Sequence, residues 1–296
     1  MDTERQELSV IVERAEARGW EDLVACAPPA FATEHSMRSW HVDAAVGFMF
    51  DVPPNPFFNR FHGFGVLCPA TGSMLDAAVA PWQGTGRTYI VHVSPNPAAP
   101  DIDRILDTRG LVPSMNWVKM IRGNEPPPAI ATDLRIEEIG PDQAAAFAGI
   151  AAESFGLPEV GPWIGAAVGR PGWHAYLAFD GSLPVACGLL HVEDGVGWLG
   201  TGGTLPSHRG RGAQGALLAR RIEDAIAVGC RHIATETGEE TAGAPNPSYR
   251  NMLRTGFRLV YARRNWIGTA SGDRSRGHPS SPAVRIPARE PPARPP

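Results

Sequence analysis

The sequence predicts a mixed α/β fold in which strands and helices alternate around one sheet. Three observations support this between residues 133 and 267. Short β-branched and apolar runs alternate with amphipathic, helix-like runs. The tight turns Asp180–Ser182 and Glu193–Gly195 join three successive strands, and a glycine-rich loop separates the third strand from a long helix. The order is therefore an antiparallel meander followed by crossover units.

Nine elements are expected in this segment. The strands, in chain order, are 133–139, 173–179, 185–192, 196–203, 232–237 and 258–267, and the helices are 143–155, 213–228 and 248–255. Leu218, Ile222 and Ile226 recur at four-residue intervals and so share one face of the long helix. Gly229 is placed to end that helix.

The first 122 residues repeat part of this order. A strand at 89–94, a short helix at 102–108, a glycine with an apolar residue, and a tryptophan-bearing strand at 116–122 follow the same order as 232–267. This similarity predicts a tandem of two related units about 130 residues apart. The alternative is that any two α/β units look alike at this level of description.

Two segments mark boundaries along the chain. The run Gly123–Pro128 has the composition of a linker, and residues from about 271 onward are rich in Pro, Arg and Ser and poor in aliphatic residues. We therefore divide the chain into a diverged N-terminal unit (1–122), a linker (123–130), a C-terminal unit (131–268) and a disordered tail (269–296).

Composition narrows the function classes. The formal net charge is −4, and 20% of the residues are charged. The chain thus lacks the excess of basic residues that is typical of a nucleic-acid-binding protein, and no nucleic-acid partner is expected. The four cysteines form no Cys-x-x-Cys pair, and no metal is expected. No apolar run reaches about 18 residues, and residues 1–14 are charged and lack the apolar core of a signal peptide, so a cytoplasmic protein without a membrane partner is expected. The sequence leaves a homodimer open.

The most informative stretch is Gly200–Leu218, where a strand ends, a glycine-rich basic loop follows and an amphipathic helix begins. Glycines allow backbone N–H groups to approach an anion closely, and a helix N-terminus adds unpaired donors. Arg209 and Arg211 add full positive charges. The spacing matches neither a P-loop nor a dinucleotide fingerprint. We interpret the loop as a pyrophosphate cradle, with a surface turn that caps a helix as the alternative.

The loop resembles motif A of the GCN5-related N-acetyltransferase superfamily, Q/R-x-x-G-x-G/A, which here reads Arg209, Gly210, Arg211, Gly212, Ala213, Gln214. Gln214 departs from the usual Gly or Ala, and Gly215 follows it. The late element Leu253–Phe257 also falls in family order, so the resemblance covers residues 133–268. It implies a GNAT-like acyl-CoA fold and an N-acetyltransferase that moves an acetyl group from acetyl-CoA to a small amine or peptide amine by direct attack in a ternary complex.

The resemblance also implies which residues contact the coenzyme. The strand end should pair with pantetheine, and one of its N–H groups should polarise the thioester carbonyl. The loop should hold the pyrophosphate, and an asparagine before the short helix should also contact the coenzyme. The expected coenzyme-binding residues are Gly202, Gly203, Thr204, Arg209, Gly210, Arg211, Gly212, Ala213, Gln214, Gly215 and Asn246.

The expected general acid and general base each depend on one residue of the sequence. The family's usual tyrosine position holds Met252, so Tyr249, one turn earlier, is the expected acid for the departing thiolate. Glu236 is the expected base, with His191 or a chain of waters as alternatives. Because Met252 cannot transfer a proton, a catalytically silent acyl-CoA-binding regulatory module is the alternative function.

The N-terminal unit carries no phosphate loop and is expected to be non-catalytic. Arg60 and His62 are the polar members of its aromatic-rich run, which forms a core, a domain interface or a pocket wall.

Overall fold

The structure is a computed structural model that describes residues 3–51, 56–95, 99 and 101–270. Beyond residue 270, the predicted tail lies outside the described residues. Within them, the chain builds one mixed, twelve-stranded sheet with helices on both faces. The predicted α/β class is therefore confirmed.

The first half contains four helices and six strands among the described residues. They are α1 (Thr3–Ala25), α2 (Pro29–Glu34), β1 (Arg38–Val42), β2 (Ala45–Met49), β3 (Arg60–Phe64), α3 (Gly72–Val79), β4 (Thr88–Val93), α4 (Ile102–Asp107), β5 (Val112–Pro113) and β6 (Trp117–Arg122). Of these elements, the sequence predicts β4, α4 and β6. The elements α1 and β1–β3 carry no turn signal or motif as clear as those of the second half.

The second half follows the predicted order closely. Its elements are β7 (Arg135–Ile139), α5 (Ala144–Phe155), α6 (Gly161–Gly165), β8 (Trp173–Asp180), β9 (Leu183–Glu193), β10 (Val196–Thr204), α7 (Ala213–Ala227), β11 (His232–Gly238), α8 (Pro247–Arg254) and β12 (Arg258–Thr269). All nine predicted elements are present, and each end lies within two residues of its predicted position. The helix α6 was not predicted.

The strand order is β1-β2-β3-β4-β12-β6-β11-β10-β9-β8-β7, with the short β5 paired to β12. The last strands of the two halves are exchanged: β6 lies between β11 and β12, and β12 lies between β4 and β6. All three of these pairings are antiparallel. Each half therefore depends on the other for a neighbouring strand in the sheet.

The two halves share an order of elements. In each, a three-stranded antiparallel meander (β1–β3 or β8–β10) leads into a helix (α3 or α7) and then a strand parallel to the third (β4 or β11). A short helix (α4 or α8) and the exchanged strand follow. This arrangement agrees with the predicted tandem. Because strands from both sides of residues 123–130 pair within one sheet, the division into separate domains stays a prediction.

The helix α1 crosses the middle of the sheet. It packs against β2 and β3 of the first half and against β10 and β11 of the second, on the face that α5 also covers. The helices α7 and α8 cover the opposite face of the second half. Residues that point toward α1 are thus enclosed between a helix from the first half and strands from both.

Candidate active site

A cleft opens between the parallel strands β10 and β11. They are paired at Val196↔His232, Gly197↔Ile233 and Trp198↔Ala234. Beyond that point β10 stays paired with β9 as far as Thr204, and β11 stays paired with β6 as far as Gly238. The two strands therefore separate and leave peptide groups of both facing a wedge-shaped gap.

A β-bulge distorts β10 inside this cleft. Its register with β9 shifts between Gly200 and Gly203, and Thr201 adopts a left-handed backbone with φ of 47°. A bulge releases a residue from the ladder and redirects its peptide groups. The predicted oxyanion donors, Gly202 to Thr204, lie at and after this bulge, at the open end of the cleft.

The predicted phosphate loop leads directly into α7. Gly210 and Gly212 have φ of 84° and 81°, and Gly212 stands at the N-cap of α7, where no side chain caps the helix within the described residues. A Cβ atom at Gly212 would lie only 2.6 Å from the Ala131 carbonyl oxygen. The first-turn N–H groups of α7, including those of Ala213, Gln214 and Gly215, therefore have no side-chain cap, an arrangement that can accept an anion.

The two loop arginines have different environments. Arg211 donates to the carboxylates of Asp133 and Asp180, with its Nη1 2.6 Å from Asp180 Oδ2. These hydrogen bonds lower the pKa of both aspartates. Arg209 is exposed, and its Nε donates to the Thr204 carbonyl oxygen at 3.3 Å. Arg211 thus anchors the loop to the rest of the fold, whereas Arg209 presents its charge to solvent.

Gln214 and Asn246 hold the elements around the cleft together. The Gln214 Nε2 donates to Ser248 Oγ at 2.9 Å, and its Oε1 accepts from Asn251 Nδ2 at 2.8 Å. The Asn246 Oδ1 caps α8, and its Nδ2 donates to the carbonyl oxygen of Gly238 at 2.6 Å. Gln214 therefore ties α7 to α8 instead of pointing outward, and Asn246 ties α8 to the end of β11.

Glu236 lies where β10 and β11 separate. Its carboxylate accepts from Trp198 Nε1 at 3.1 Å and from Lys119 Nζ at 3.2 Å, and its side chain is 6% exposed. Burial, followed by the charge of Glu16, raises the pKa of Glu236, while Lys119 opposes the rise. A carboxylate with a raised pKa is a stronger base than an ordinary glutamate.

Tyr249 approaches from the other face of the sheet. It packs half-buried beside the apolar cluster of α7, α8 and Ile233, and Met252 is buried within that cluster. Glu236 lies on the α1 face because it points to the same side as Ala234, which packs under α1. The predicted acid and base therefore lie on opposite faces of the sheet and share only the cleft between them.

Two other side chains near the bulge bear on the chemistry. Cys187 is buried beside Gly203, and burial raises the pKa of its thiol to about 12. Ser154, on α5, has a buried hydroxyl without a hydrogen-bond partner among the described residues, and a Cβ at Gly203 would lie 2.9 Å from it. The sequence analysis missed Ser154, because an alanine-rich helix contains no motif that would single it out.

His191, the alternative base, sits elsewhere on β9. Its Nε2 lies 3.8 Å from Asp22 Oδ2, and its ring packs against Trp173 with centroids 4.7 Å apart. Burial lowers the pKa of His191. Its contacts are those of a histidine that joins α1 to the sheet.

The corresponding region of the first half is closed. The parallel strands β3 and β4 stay paired from Arg60↔Ile90 to Phe64↔Val93, across a bulge at Gly63. The start of α3 is capped by Thr71, whose Oγ1 accepts from the Met74 N–H at 3.3 Å. At the position that corresponds to the β10–β11 cleft and the start of α7, the described part of the first half thus has paired strands and a capped helix, α3.

No described helix combines the length and the apolar character needed to cross a membrane. No group of three or more His, Cys, Asp or Glu side chains in that part of the chain is arranged to hold a metal ion.

Comparison with known proteins rests on structure. No family model and no curated protein matches the sequence. A GCN5-related N-acetyltransferase from Kribbella flavida superposes with a TM-score of 0.59 at 18% identity, over 88% of this chain and 96% of that one. A tandem GNAT protein from the clavulanic acid biosynthesis pathway gives 0.57 at 15% identity, over 90% and 95%.

A third structure extends the agreement. A GCN5-related N-acetyltransferase from Sphaerobacter thermophilus superposes with a TM-score of 0.56 at 17% identity, over 76% of this chain and 80% of that one. The similarity to the tandem protein spans both halves of the sheet and not the second half alone. The chain therefore has the fold of the GCN5-related N-acetyltransferase superfamily.

Proposed function

We propose that the chain is an acyl-CoA-dependent N-acyltransferase that moves an acetyl group from acetyl-CoA to an amine. The observation that carries this proposal is the cleft between β10 and β11, which has a bulged strand on one side and leads to an uncapped, glycine-preceded helix start. A thioester could lie along the bulge while its pyrophosphate reaches the N-terminus of α7. A cytoplasmic location and a small amine or peptide amine as acceptor belong to the same proposal.

In this proposal the two arginines of the loop have different roles. The exposed guanidinium of Arg209 and the first-turn N–H groups of α7 hold the pyrophosphate. Arg211 holds the loop in shape through Asp133 and Asp180. The peptide groups of Gly202 to Thr204 accept the pantetheine and polarise the thioester carbonyl.

In the proposed reaction, the groups that transfer protons, Glu236 and Tyr249, lie on opposite sides of the cleft. An alkyl ammonium must lose a proton before it can attack, and the raised pKa of Glu236 suits it to accept that proton. Tyr249 is the proposed donor to the departing thiolate. Direct attack is favoured over a cysteine relay, because burial keeps Cys187 protonated beside the bulge.

The first test is calorimetric titration of acetyl-CoA into three proteins: wild type, Arg209→Glu and Arg231→Glu. Arg231 is also exposed, but it lies at the opposite end of α7, so it controls for charge reversal alone. We expect binding by wild type, a loss of at least about tenfold in Arg209→Glu and little change in Arg231→Glu. Equal losses in the two variants would contradict the assignment of the loop.

The second test is amine-dependent release of free CoA thiol. Turnover that Glu236→Gln reduces, without a change in acetyl-CoA affinity, would support the enzyme. Acetyl-CoA binding with no thiol release over a broad amine panel would instead favour a silent acyl-CoA-binding regulatory module. The observation that favours this second function is that the family's usual tyrosine position holds Met252, which is buried and cannot transfer a proton.

A further inference from the structure

A layer of charged side chains is buried between α1 and the centre of the sheet. Its six members come from α1, β3, β6, β11 and β12 and are Glu13, Glu16, Arg60, Lys119, Glu236 and Arg263. Three are carboxylates and three are cations. Such a layer is stable only when each charge has a partner, because transfer of a charge out of water is costly.

Five of the six charges satisfy one another. The guanidinium of Arg263 donates to Glu13 Oε2 at 3.2 Å and to Glu16 Oε1 at 3.1 Å. The Lys119 Nζ donates to Glu16 Oε2 at 2.7 Å and to Glu236 Oε2 at 3.2 Å. These hydrogen bonds do not include the sixth charge, Arg60.

Arg60 is 1% exposed, and neither its Nη1 nor its Nη2 has a hydrogen-bond partner among the described residues. Its guanidinium carbon lies 4.0 Å from the ring centroid of Trp20 and 3.9 Å from that of Phe57. Burial lowers the pKa of Arg60 to about 9, so the group is still charged at neutral pH. Aromatic contacts offset part of the lost hydration but supply no acceptor for its N–H groups.

The unpaired end of Arg60 belongs to the same neighbourhood as the proposed base. The ring of Trp20, which contacts Arg60, lies 6.0 Å from the ring of Trp198. Trp198 in turn donates its Nε1 to Glu236. The charge of Glu236 also acts directly on Arg60 and raises its pKa against the effect of burial, so a small molecule that pairs with Arg60 lies near Glu236.

A planar guanidinium with two free N–H ends matches a carboxylate. We propose that Arg60 binds the carboxylate of the acceptor, so that the acceptor is an amino acid with an apolar or aromatic side chain and not a simple amine. The carboxylate pairs with Arg60, the amine faces Glu236, and the side chain lies against the half-buried rings of Trp20, Phe57 and Trp117. This inference rests on the proposed function.

Access requires movement of a ring. Trp20 and Phe57 are both partly exposed, whereas Arg60 between them and the sheet is not. The proposal requires displacement of the Phe57 ring from the guanidinium, and Phe57 takes part in no strand pairing of β3.

Binding probes test the charge requirement without any turnover. L-phenylalanine, 3-phenylpropionate and phenethylamine share an aromatic group but differ in carboxylate and amine, and each is titrated into full-length protein with and without CoA. We expect L-phenylalanine and 3-phenylpropionate to bind at least about tenfold more tightly than phenethylamine. We expect Arg60→Met to weaken both carboxylates by about 10- to 100-fold and to leave phenethylamine unchanged. Carboxylates that bind no better than phenethylamine, or equally well to Arg60→Met, would overturn the proposal.

Stability of the ligand-free protein separates a binding role from a structural one. Arg60→Met removes a cation that has no hydrogen-bond partner at Nη1 or Nη2 among the described residues, so its urea midpoint should fall less than that of Arg263→Met. Arg263→Met is the matched control and should lower the midpoint, because it strips partners from Glu13 and Glu16. An Arg60→Met midpoint as low as that of Arg263→Met would make Arg60 structural and end the proposal.

The proposed function can fail separately. Arg60 lies outside the loop of residues 209–215, so acetyl-CoA should bind Arg60→Met as it binds wild type. Loss of acetyl-CoA binding in wild type would refute the acyl-CoA proposal while the three probes still report on Arg60.

Discussion

At the scale of single residues, the two arginines of the loop show why a motif does not assign roles. Arg209 and Arg211 are two positions apart and chemically identical, yet one faces solvent and the other pairs with Asp133 and Asp180. The sequence placed both in a phosphate cradle. Nothing local could separate them, because the partners of Arg211 lie 78 and 31 residues away.

The loop glycines allow a sharper prediction. Gly212→Ala introduces a Cβ 2.6 Å from the Ala131 carbonyl oxygen at a backbone with φ of 81°, so both space and conformation oppose it. Gly210→Ala meets the same kind of backbone, with φ of 84°, but no neighbouring atom within 4 Å. We expect Gly210→Ala to lower the free energy of unfolding by about 1 kcal/mol and Gly212→Ala by about 2–4 kcal/mol.

Urea titration, monitored by circular dichroism, measures the decrease in the free energy of unfolding for each variant. If the two substitutions cost the same, the Ala131 segment is not packed under the loop as described.

At the scale of elements, the exchange of β6 and β12 is the feature with the largest consequence. The strand β6 supplies the antiparallel partner of β11 from Trp117↔Gly238 to Arg122↔Ile233. It also carries Lys119, which pairs with Glu236 at the cleft. One wall of the candidate site thus depends on a strand from the first half.

This dependence predicts that residues 131–270 will not fold alone. Without β6, the edge of β11 is unpaired, and the apolar residues Val118 and Met120 no longer cover their part of the core. We expect this fragment to aggregate or to lack cooperative unfolding, whereas residues 1–270 should unfold cooperatively. Circular dichroism and urea titration of the two purified fragments provide the measurement, and a cooperative transition for 131–270 would refute the dependence.

At the scale of the whole molecule, two buried histidines beside the charge layer, His62 and His92, couple stability to pH. Burial lowers the pKa of His62 to about 4, and the pKa of His92 also lies well below its ordinary value. Glu16, Arg60 and Arg263 all face His62 across α1, β3 and β12. Between about pH 6.5 and 4 the unfolded chain binds protons that the folded chain does not, so stability falls as the pH falls.

We therefore expect the free energy of unfolding to decrease below about pH 6.5, by up to about 1.4 kcal/mol per pH unit for each of the two histidines. Below pH 4.5 the carboxylates add to the loss. Arg263 and Lys119 hold the pKa of Glu16 well below its ordinary value despite its burial, so its contribution disappears as it is protonated.

His62→Gln keeps a neutral polar side chain and should reduce the slope between pH 6.5 and 4. Urea titrations at several pH values compare the two proteins. An unchanged slope would mean that the pKa of His62 is the same in the folded and the unfolded chain.

The sequence by itself determined the order of elements in the second half, the glycine loop at the start of α7 and the likeness to the GCN5-related fold. Those features depend on residues close together in the chain: turns, periodic apolar positions and glycines with special backbone angles. Tertiary structure alone decided the exchange of β6 and β12, the pairing of Arg211, the burial of Glu236 and the isolation of Arg60. The contacts that decide them join residues such as Glu16 and Arg263, 247 positions apart, and no local pattern encodes such a distance.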